Sequence, residues 1–366
     1  MACPTAPFRE GAVIAEVRTF AARNPHLVLR EDAHGNLAIR RRSVPTSASP
    51  LVLGAHMDHP GFRAIASTRT RTGFRVDALF LGGVRPEFFR GARARFPDHA
   101  GGVAARVESV RPDRRSGELR VRLSARKPIE PGRFGVWDLP GFRRAPRDPD
   151  LLETRAADDL AGVAAILAVL EQVERIDPRR RVDVRALFTR AEEVGFVGAI
   201  AAARGGSVPR GARIVAIEAS KALPHAPQGA GPILRVGDRT SVFDDGLTRW
   251  LGRVAAALAG PKGDRFAFQR RLMDGGTCES TAYQLYGFRC AALCVPLGNY
   301  HNMSERGRIA VESIRLSDLV GLVRFFEGMI RHDDDCPRAR ARDPLHARLE
   351  RRFRRSRRSL ARDPLA

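Results

Sequence analysis

The chain has 366 residues, 43% of them hydrophobic, enough to bury a large core and too many for a wholly disordered protein. Its net charge of +22 rests on 63 basic residues, of which only Lys127, Lys221 and Lys262 are lysine. The arginines run through every segment, so the charge reads as a compositional bias of the whole chain rather than as a nucleic-acid footprint. Five cysteines without metal-site or disulfide spacing point to a reducing compartment. The N-terminus begins no apolar leader and no stretch reaches the length of a membrane span, so a cytoplasmic protein with no membrane span is expected.

Residues 9 to 42 read as a helix, with Ala12, Val13, Val17 and Phe20 on its apolar side, followed by a hairpin turning through His34-Gly35-Asn36. Leu51-Val52-Leu53 is a short buried strand ending in Gly54-Ala55-His56. The pattern recurs: residues 181 to 188 lead to Glu192-Glu193, Ile214 to Ile217 end at Glu218, and Ala291 to Leu297 end just before His301. Between the first two strands, Leu160, Val163, Leu167, Leu170 and Val173 form a helical apolar stripe over 160 to 176. This alternation predicts an α/β fold with a large sheet, where ligands collect beyond the carboxyl ends of the strands.

Residues 65 to 148 break the alternation. Short segments such as Phe74-Arg75-Val76-Asp77-Ala78, separated by Gly, Pro and Asp turns, predict a small all-β barrel inserted into the α/β domain. The expected organisation is thus a catalytic domain from 1 to 64 and 149 to 332, an insert from 65 to 148, and a tail from 333 to 366. That tail carries eleven arginines against three acids between 337 and 366. It reads as a solvated, disordered segment. Its other reading is a basic helix, with Leu345, Leu349 and Phe353 at spacing four, that forms on an acidic partner, a nucleic acid or an anionic membrane surface.

The polar candidates fall at the strand ends. In Glu192-Glu193 one carboxylate can bind a metal while its neighbour acts as general base, although a surface glutamate pair is the ordinary reading. His56 suits zinc or cobalt, and Asp58 two residues on can orient it. Asp158-Asp159 sits at a helix start, where aspartate is a usual N-cap but where a carboxylate can also bridge two cations. Glu218 needs a partner if buried, and a lone His301 is most often structural. The order His, Asp, Glu-Glu, Glu, His, each at the end of a strand or the start of a helix, makes a metal site the stronger reading.

Over residues 10 to 330 the chain resembles the tetrahedral or deblocking aminopeptidases, which include glutamyl aminopeptidases, within the clan of dinuclear zinc peptidases. The resemblance lies in Ala55-His56-Met57-Asp58, Gly82-Gly83, Pro131-Gly132-Arg133-Phe134, Ala157-Asp158-Asp159 with Gly162, Glu192-Glu193-Val194-Gly195 and Gly275-Gly276-Thr277. It implies a mixed-sheet catalytic domain and two divalent ions, zinc or alternatively cobalt or manganese. Asp158 would bridge them, with His56 and Glu218 completing one site and Glu193 and His301 the other. Glu192 would be the general base toward a metal-bridging water, Asp58 would orient His56, and Gly276, Thr277, Cys278 and Glu279 would contact substrate. The implied activity is hydrolysis of short peptides from the N-terminus by a homo-oligomer, a dimer or dodecamer.

Some positions depart from the family pattern. Glu218 stands for a usual aspartate and is shared with carboxypeptidases and N-acyl amino acid deacylases of the clan, which form the alternative reading. His59-Pro60 replaces an acidic and an aliphatic residue, Leu160 an arginine, Cys278-Glu279 an Asp-Ala pair, and His301-Asn302-Met303 a His-Ser-Pro. A third reading, a binding protein that kept the fold without catalysis, is disfavoured by the complete ligand set.

Overall fold

The computed structural model describes residues 1–98, 101–113, 118–263, 265–336 and 343–360. Helix α1 (Gly11–Arg23) buries Val13 and Val17. Strands β1 (Leu27–Glu31) and β2 (Leu37–Arg41) form an antiparallel hairpin. Its turn is built on Asp32, whose Oδ1 accepts the N–H groups of His34 (2.8 Å) and Asn36 (3.0 Å). Strand β3 (Leu51–His56) is buried along its whole length.

The chain then leaves the sheet and closes a six-stranded barrel: β4 (Gly61–Thr70), β5 (Gly73–Leu81), β6 (Arg93–Phe96), β7 (Val103–Pro112), β8 (Leu119–Ala125) and β9 (Phe134–Trp137), in spatial order β4-β5-β8-β7-β6-β9. Alternating residues point inward, and the core is aromatic. Phe62 meets Trp137 edge to face at 4.8 Å, and Phe80 meets Phe89 at 4.9 Å. The barrel strands end at Trp137. Strands β10 (Arg143–Ala145) and β11 (Asp148–Thr154), which straddle the expected boundary at 148, pair instead in a three-stranded sheet with β17 (Glu312–Arg315).

The return to the α/β body begins at α2 (Leu160–Glu171), capped by Asp159, whose Oδ1 accepts Gly162 N–H at 3.1 Å. A Cβ on Gly162 would meet that carboxylate at 2.4 Å, so glycine is required there. The single helix expected over 160 to 176 is divided at Gln172, with α3 (Val173–Ile176) as its second piece. Then follow β12 (Val184–Thr189), α4 (Val197–Gly205), β13 (Arg213–Lys221), β14 (Ile233–Asp238), α5 (Asp245–Ala259), β15 (Gln269–Met273), α6 (Glu279–Leu285), β16 (Arg289–Leu297) and α7 (Leu316–Arg331).

The main sheet has eight strands in the order β1-β2-β12-β3-β13-β16-β14-β15. Its centre, β12-β3-β13-β16, is parallel, while β2 and β14 join antiparallel. The fold is therefore mixed α/β with an inserted barrel, the class read from the sequence. Apolar faces of α1, α2, α5 and α7 cover one side of the sheet, and α4 and α6 the other. All four central strands run the same way, so their carboxyl ends gather at one edge.

No helix among the described residues is long and apolar enough to cross a membrane. Where a disordered tail was expected, residues 344–360 form a helix, α8 (Pro344–Leu360). Arginine and leucine are strong helix formers, and Asp343 ahead of it supplies an N-terminal cap to Leu345 N–H at 2.8 Å. The stretch Ala-Arg-Asp-Pro-Leu occurs in the sequence at 341 to 345 and again at 361 to 365, and the second copy lies outside the described residues.

Candidate metal centre and catalytic loop

His56 ends β3 opposite Thr189, the last residue of β12. Glu192 and Glu193 lie on the turn after β12, Glu218 in β13 opposite Cys294 of β16, His301 in the loop after β16, and Asp158 just before α2. The structure brings these six side chains together. Asp158 is central: its Oδ1 lies 3.4 Å from His56 Nε2 and its Oδ2 3.5 Å from His301 Nε2. Outside them, Glu218 Oε2 is 3.8 Å from His56 Nε2, and Glu193 Oε2 is 3.3 Å from His301 Nε2. One carboxylate thus stands between two imidazole–carboxylate pairs.

Each imidazole turns its Nδ1 to a backbone carbonyl, His56 to Asp58 O at 3.2 Å and His301 to Gly83 O at 2.8 Å. A proton on Nδ1 satisfies both contacts and turns each Nε2 toward Asp158, where its lone pair would be free for a cation held between them. Gly83 follows β5 of the barrel, and a Cβ there would press on His301 Nδ1 at 3.3 Å, while a Cβ on Gly82 (φ 111°) would meet Pro60 at 2.8 Å.

The donor set fits a divalent cation. Asp158 Oδ1, Glu193 Oε1 and Glu218 Oε1 are buried without a hydrogen-bond partner among the described residues. A buried carboxylate oxygen with no donor is costly unless a cation satisfies it. His56, Asp158 and Glu193 hold ligand atoms within 4.8 Å of one another, and so do His56, Glu192 and Glu218. Imidazole and carboxylate together suit zinc, cobalt or manganese.

The same crowding shifts the acids and bases. Burial disfavours ionisation of Asp158, but the His301 and His56 imidazoles outweigh it and hold its carboxyl below the usual range. Burial opposes charge on both imidazoles too, yet the neighbouring carboxylates, Glu192 foremost for His56 and Glu193 for His301, raise them well above an ordinary histidine. Glu192 is raised well above an ordinary glutamate by burial, against the pull of His56 and with repulsion from Glu218, Glu193 and Glu279.

Three carboxylates outside the cluster hold its backbone. Asp58 is 0% exposed, and its Oδ1 and Oδ2 accept the N–H groups of Glu192 (2.9 Å) and Glu193 (3.1 Å). Its carboxylate is 3.5 Å from His56 Nδ1, farther than its own carbonyl, so it braces the glutamate turn more directly than the imidazole. Glu10 Oε1 accepts the next N–H upstream, that of Ala191, at 3.0 Å, while its Oε2 accepts Arg190 Nε at 2.7 Å. Glu312, in β17, accepts Ala157 N–H (2.7 Å) and Asp158 N–H (3.1 Å) on Oε2 and His301 N–H (2.8 Å) on Oε1. Ala191, His301 and Asn302 take left-handed backbone angles (φ 52°, 53° and 64°), a strain held by these contacts.

The four candidate substrate residues divide. Gly276, Thr277 and Cys278 line a cleft with Glu218, Arg235 and Tyr300. Glu279 is buried behind the centre, where its carboxylate accepts Thr189 Oγ1 at 2.6 Å and burial pushes it up to about 7. Sequence reading missed Glu10, Glu312 and Arg235. Only Arg235 left a local trace, as a charge inside the apolar run Ile233-Leu234-Arg235-Val236. His59, seen only as a departure from the family, bridges Asp158 O (2.7 Å) and Asn302 Oδ1 (3.0 Å).

A family model described as M42 glutamyl aminopeptidase matches residues 120–315, more than half of the chain. The protein is accordingly a peptide hydrolase of the aminopeptidase class. It belongs to the M42 glutamyl aminopeptidase family, as the sequence resemblance implied. Among solved structures it is similar to the TET1 peptidase of Pyrococcus horikoshii, described as able to assemble into a tetrahedron or a large octahedral shell. That match has TM-score 0.71 and 22% identity, and covers 90% of this chain and 96% of that one. It is also similar to an aminopeptidase of the archaeon Desulfurococcus kamchatkensis (TM-score 0.71, 21% identity, covering 90% and 91%). A TET aminopeptidase of a marine-sediment thaumarchaeon gives TM-score 0.72 and 19% identity, covering 90% and 94%. At these identities the structures speak for the fold. No curated relative matches the sequence.

Proposed function

We propose that the chain is a dinuclear metal-dependent aminopeptidase on short peptides, with Asp158 bridging two ions, His56 and Glu218 on one, and His301 and Glu193 on the other. The observation that carries this reading is Asp158, whose two oxygens face the Nε2 atoms of His56 and His301 at 3.4 and 3.5 Å. Zinc is the first candidate, cobalt or manganese the alternatives. Bound there, the ions would supply Lewis acidity to a shared water and to the scissile carbonyl. Glu192 would take the proton from the attacking water and return it to the leaving amine. Asp58 and Glu10 hold the turn that presents it.

Arg235 supports an acidic first residue in the substrate. Its guanidinium is buried at 3% exposure, lines the cleft beside Glu218, and has an Nε with no partner among the described residues. Its Nη1 donates to Ser220 Oγ at 3.2 Å. The Glu218 and Asp238 carboxylates help to hold it protonated, and a substrate carboxylate would give the open Nε its hydrogen bond. The glutamyl preference in the family's description is in line with this. The assemblies reported for the TET1 relative support a homo-oligomer here as well.

The test compares the metal-loaded protein on free-amine peptides, their N-acetylated forms and N-acyl amino acids. Release of N-terminal residues from free amines alone is expected; cleavage confined to acylated substrates would move the chain to the carboxypeptidase and deacylase side suggested by Glu218. Glu192→Gln is expected to lower kcat about 10²- to 10⁴-fold with both ions still bound. An active variant would remove Glu192 from its role.

A further inference from the structure

We propose that α8 is an interfacial helix that seats the protein on an anionic lipid surface. Its seventeen residues, Pro344–Leu360, carry seven arginines against one acid, Glu350. At about 100° per residue, Leu345, Leu349 and Phe353 fall within roughly 80° of arc, and Arg348, Arg351, Arg352, Arg354 and Arg355 all fall outside it. Leu349 is 54% exposed and Phe353 is 53% exposed. The helix is nevertheless fixed at its root. Asp343 is buried, accepts Leu345 N–H at 2.8 Å, and takes Arg249 of α5 on Oδ2 at 3.1 Å. One end is anchored while two large apolar side chains farther along stand in water, surrounded by cations.

Charge and shape choose the occupant. A second copy of the helix would bring arginine against arginine with one glutamate each to offset them. A nucleic acid would satisfy the arginines through its phosphates and leave Leu349 and Phe353 uncovered. An anionic bilayer meets both requirements: the stripe sinks to the acyl boundary while the arginines reach up to headgroup phosphates. A helix of about 25 Å with this many charges lies in the interface and does not cross it. The inference is independent of the chemistry at Asp158.

The experiment is cosedimentation of the full-length protein with vesicles of phosphatidylcholine alone and of phosphatidylcholine mixed with phosphatidylglycerol, alongside an RNA oligonucleotide. The comparison protein is Leu349→Ser/Phe353→Ser, which leaves the charge unchanged. Binding to the anionic vesicles only, weakened at least tenfold by the double substitution while peptidase activity stays constant, supports the proposal. Equal binding by the two proteins means adsorption of a polycation and overturns it. So does the absence of vesicle binding, or binding to RNA in its place.

Discussion

Asp58 accepts the backbone N–H groups of both Glu192 and Glu193, at 2.9 and 3.1 Å, so one buried carboxylate fixes the spacing of the proposed base and the proposed ligand beside it. An amide offers one oxygen where the carboxylate offers two, and its NH₂ would face a backbone donor. Asp58→Asn therefore leaves a buried N–H unsatisfied, at a cost of about 1–3 kcal/mol. With Glu192 displaced, kcat is expected to fall about 10- to 100-fold. Steady-state kinetics together with metal content check this; an unchanged kcat at full metal loading would mean that the turn holds itself.

Glu312 does for the other half what Asp58 does for this one. It ties Asp158 N–H and His301 N–H to a single carboxylate, and it is 0% exposed. For Glu312→Gln we expect metal affinity to drop about 10- to 100-fold, the usual range for loss of a group that orients ligands. Competition with a chromophoric chelator measures this without reference to turnover. Affinity equal to the parent's would reduce Glu312 to a structural acid.

The residues that converge at the sheet edge were legible because each follows a local apolar run: His56 after Leu51-Val52-Leu53, Glu218 after Ile214 to Ile217, His301 after Ala291 to Leu297. A parallel sheet turns those local signals into a shared location, since strands running the same way end on the same side. The residues that hold them were not legible, because their partners are backbone groups far away in the chain. Glu312 and Asp158 are 154 positions apart, and Glu10 and Ala191 are 181 apart. Nothing in Val311-Glu312-Ser313 or in Arg9-Glu10-Gly11 marks a buried carboxylate. The helix after Asp343 was likewise obscured, because its composition suits a solvated chain while its periodicity suits a helix.

Arg235→Met separates substrate recognition from folding. A flexible apolar side chain of similar length removes a buried cation that the Glu218 and Asp238 carboxylates help to hold protonated, so the melting temperature is expected to fall and the comparison between two peptides isolates recognition. Meanwhile kcat/KM on peptides beginning with glutamate should fall about 100-fold, and on those beginning with leucine should change less than threefold. An equal loss on both peptides would place Arg235 in general support of the cleft.

Removal of the metal should expose how much of the centre is held against repulsion. Asp158, Glu192, Glu193 and Glu218 surround two imidazoles in a buried space, and Glu218 Oε1 has no donor among the described residues. Chelation is expected to abolish activity and lower the melting temperature, with both restored by zinc; ion at 100 times its dissociation constant stabilises by about 2.7 kcal/mol per site. Glu218→Gln then works in opposite directions in the two forms. In the chelated protein it deletes one buried negative charge and should raise the melting temperature, because like-charge repulsion and desolvation both fall. In the zinc-loaded protein it removes an ionised ligand, so the gain on adding zinc should shrink. Calorimetry of both proteins with and without chelator decides the matter: a Glu218→Gln protein less stable than the parent in chelator, yet equally stabilised by zinc, would show that Glu218 supports the strand and not the ion.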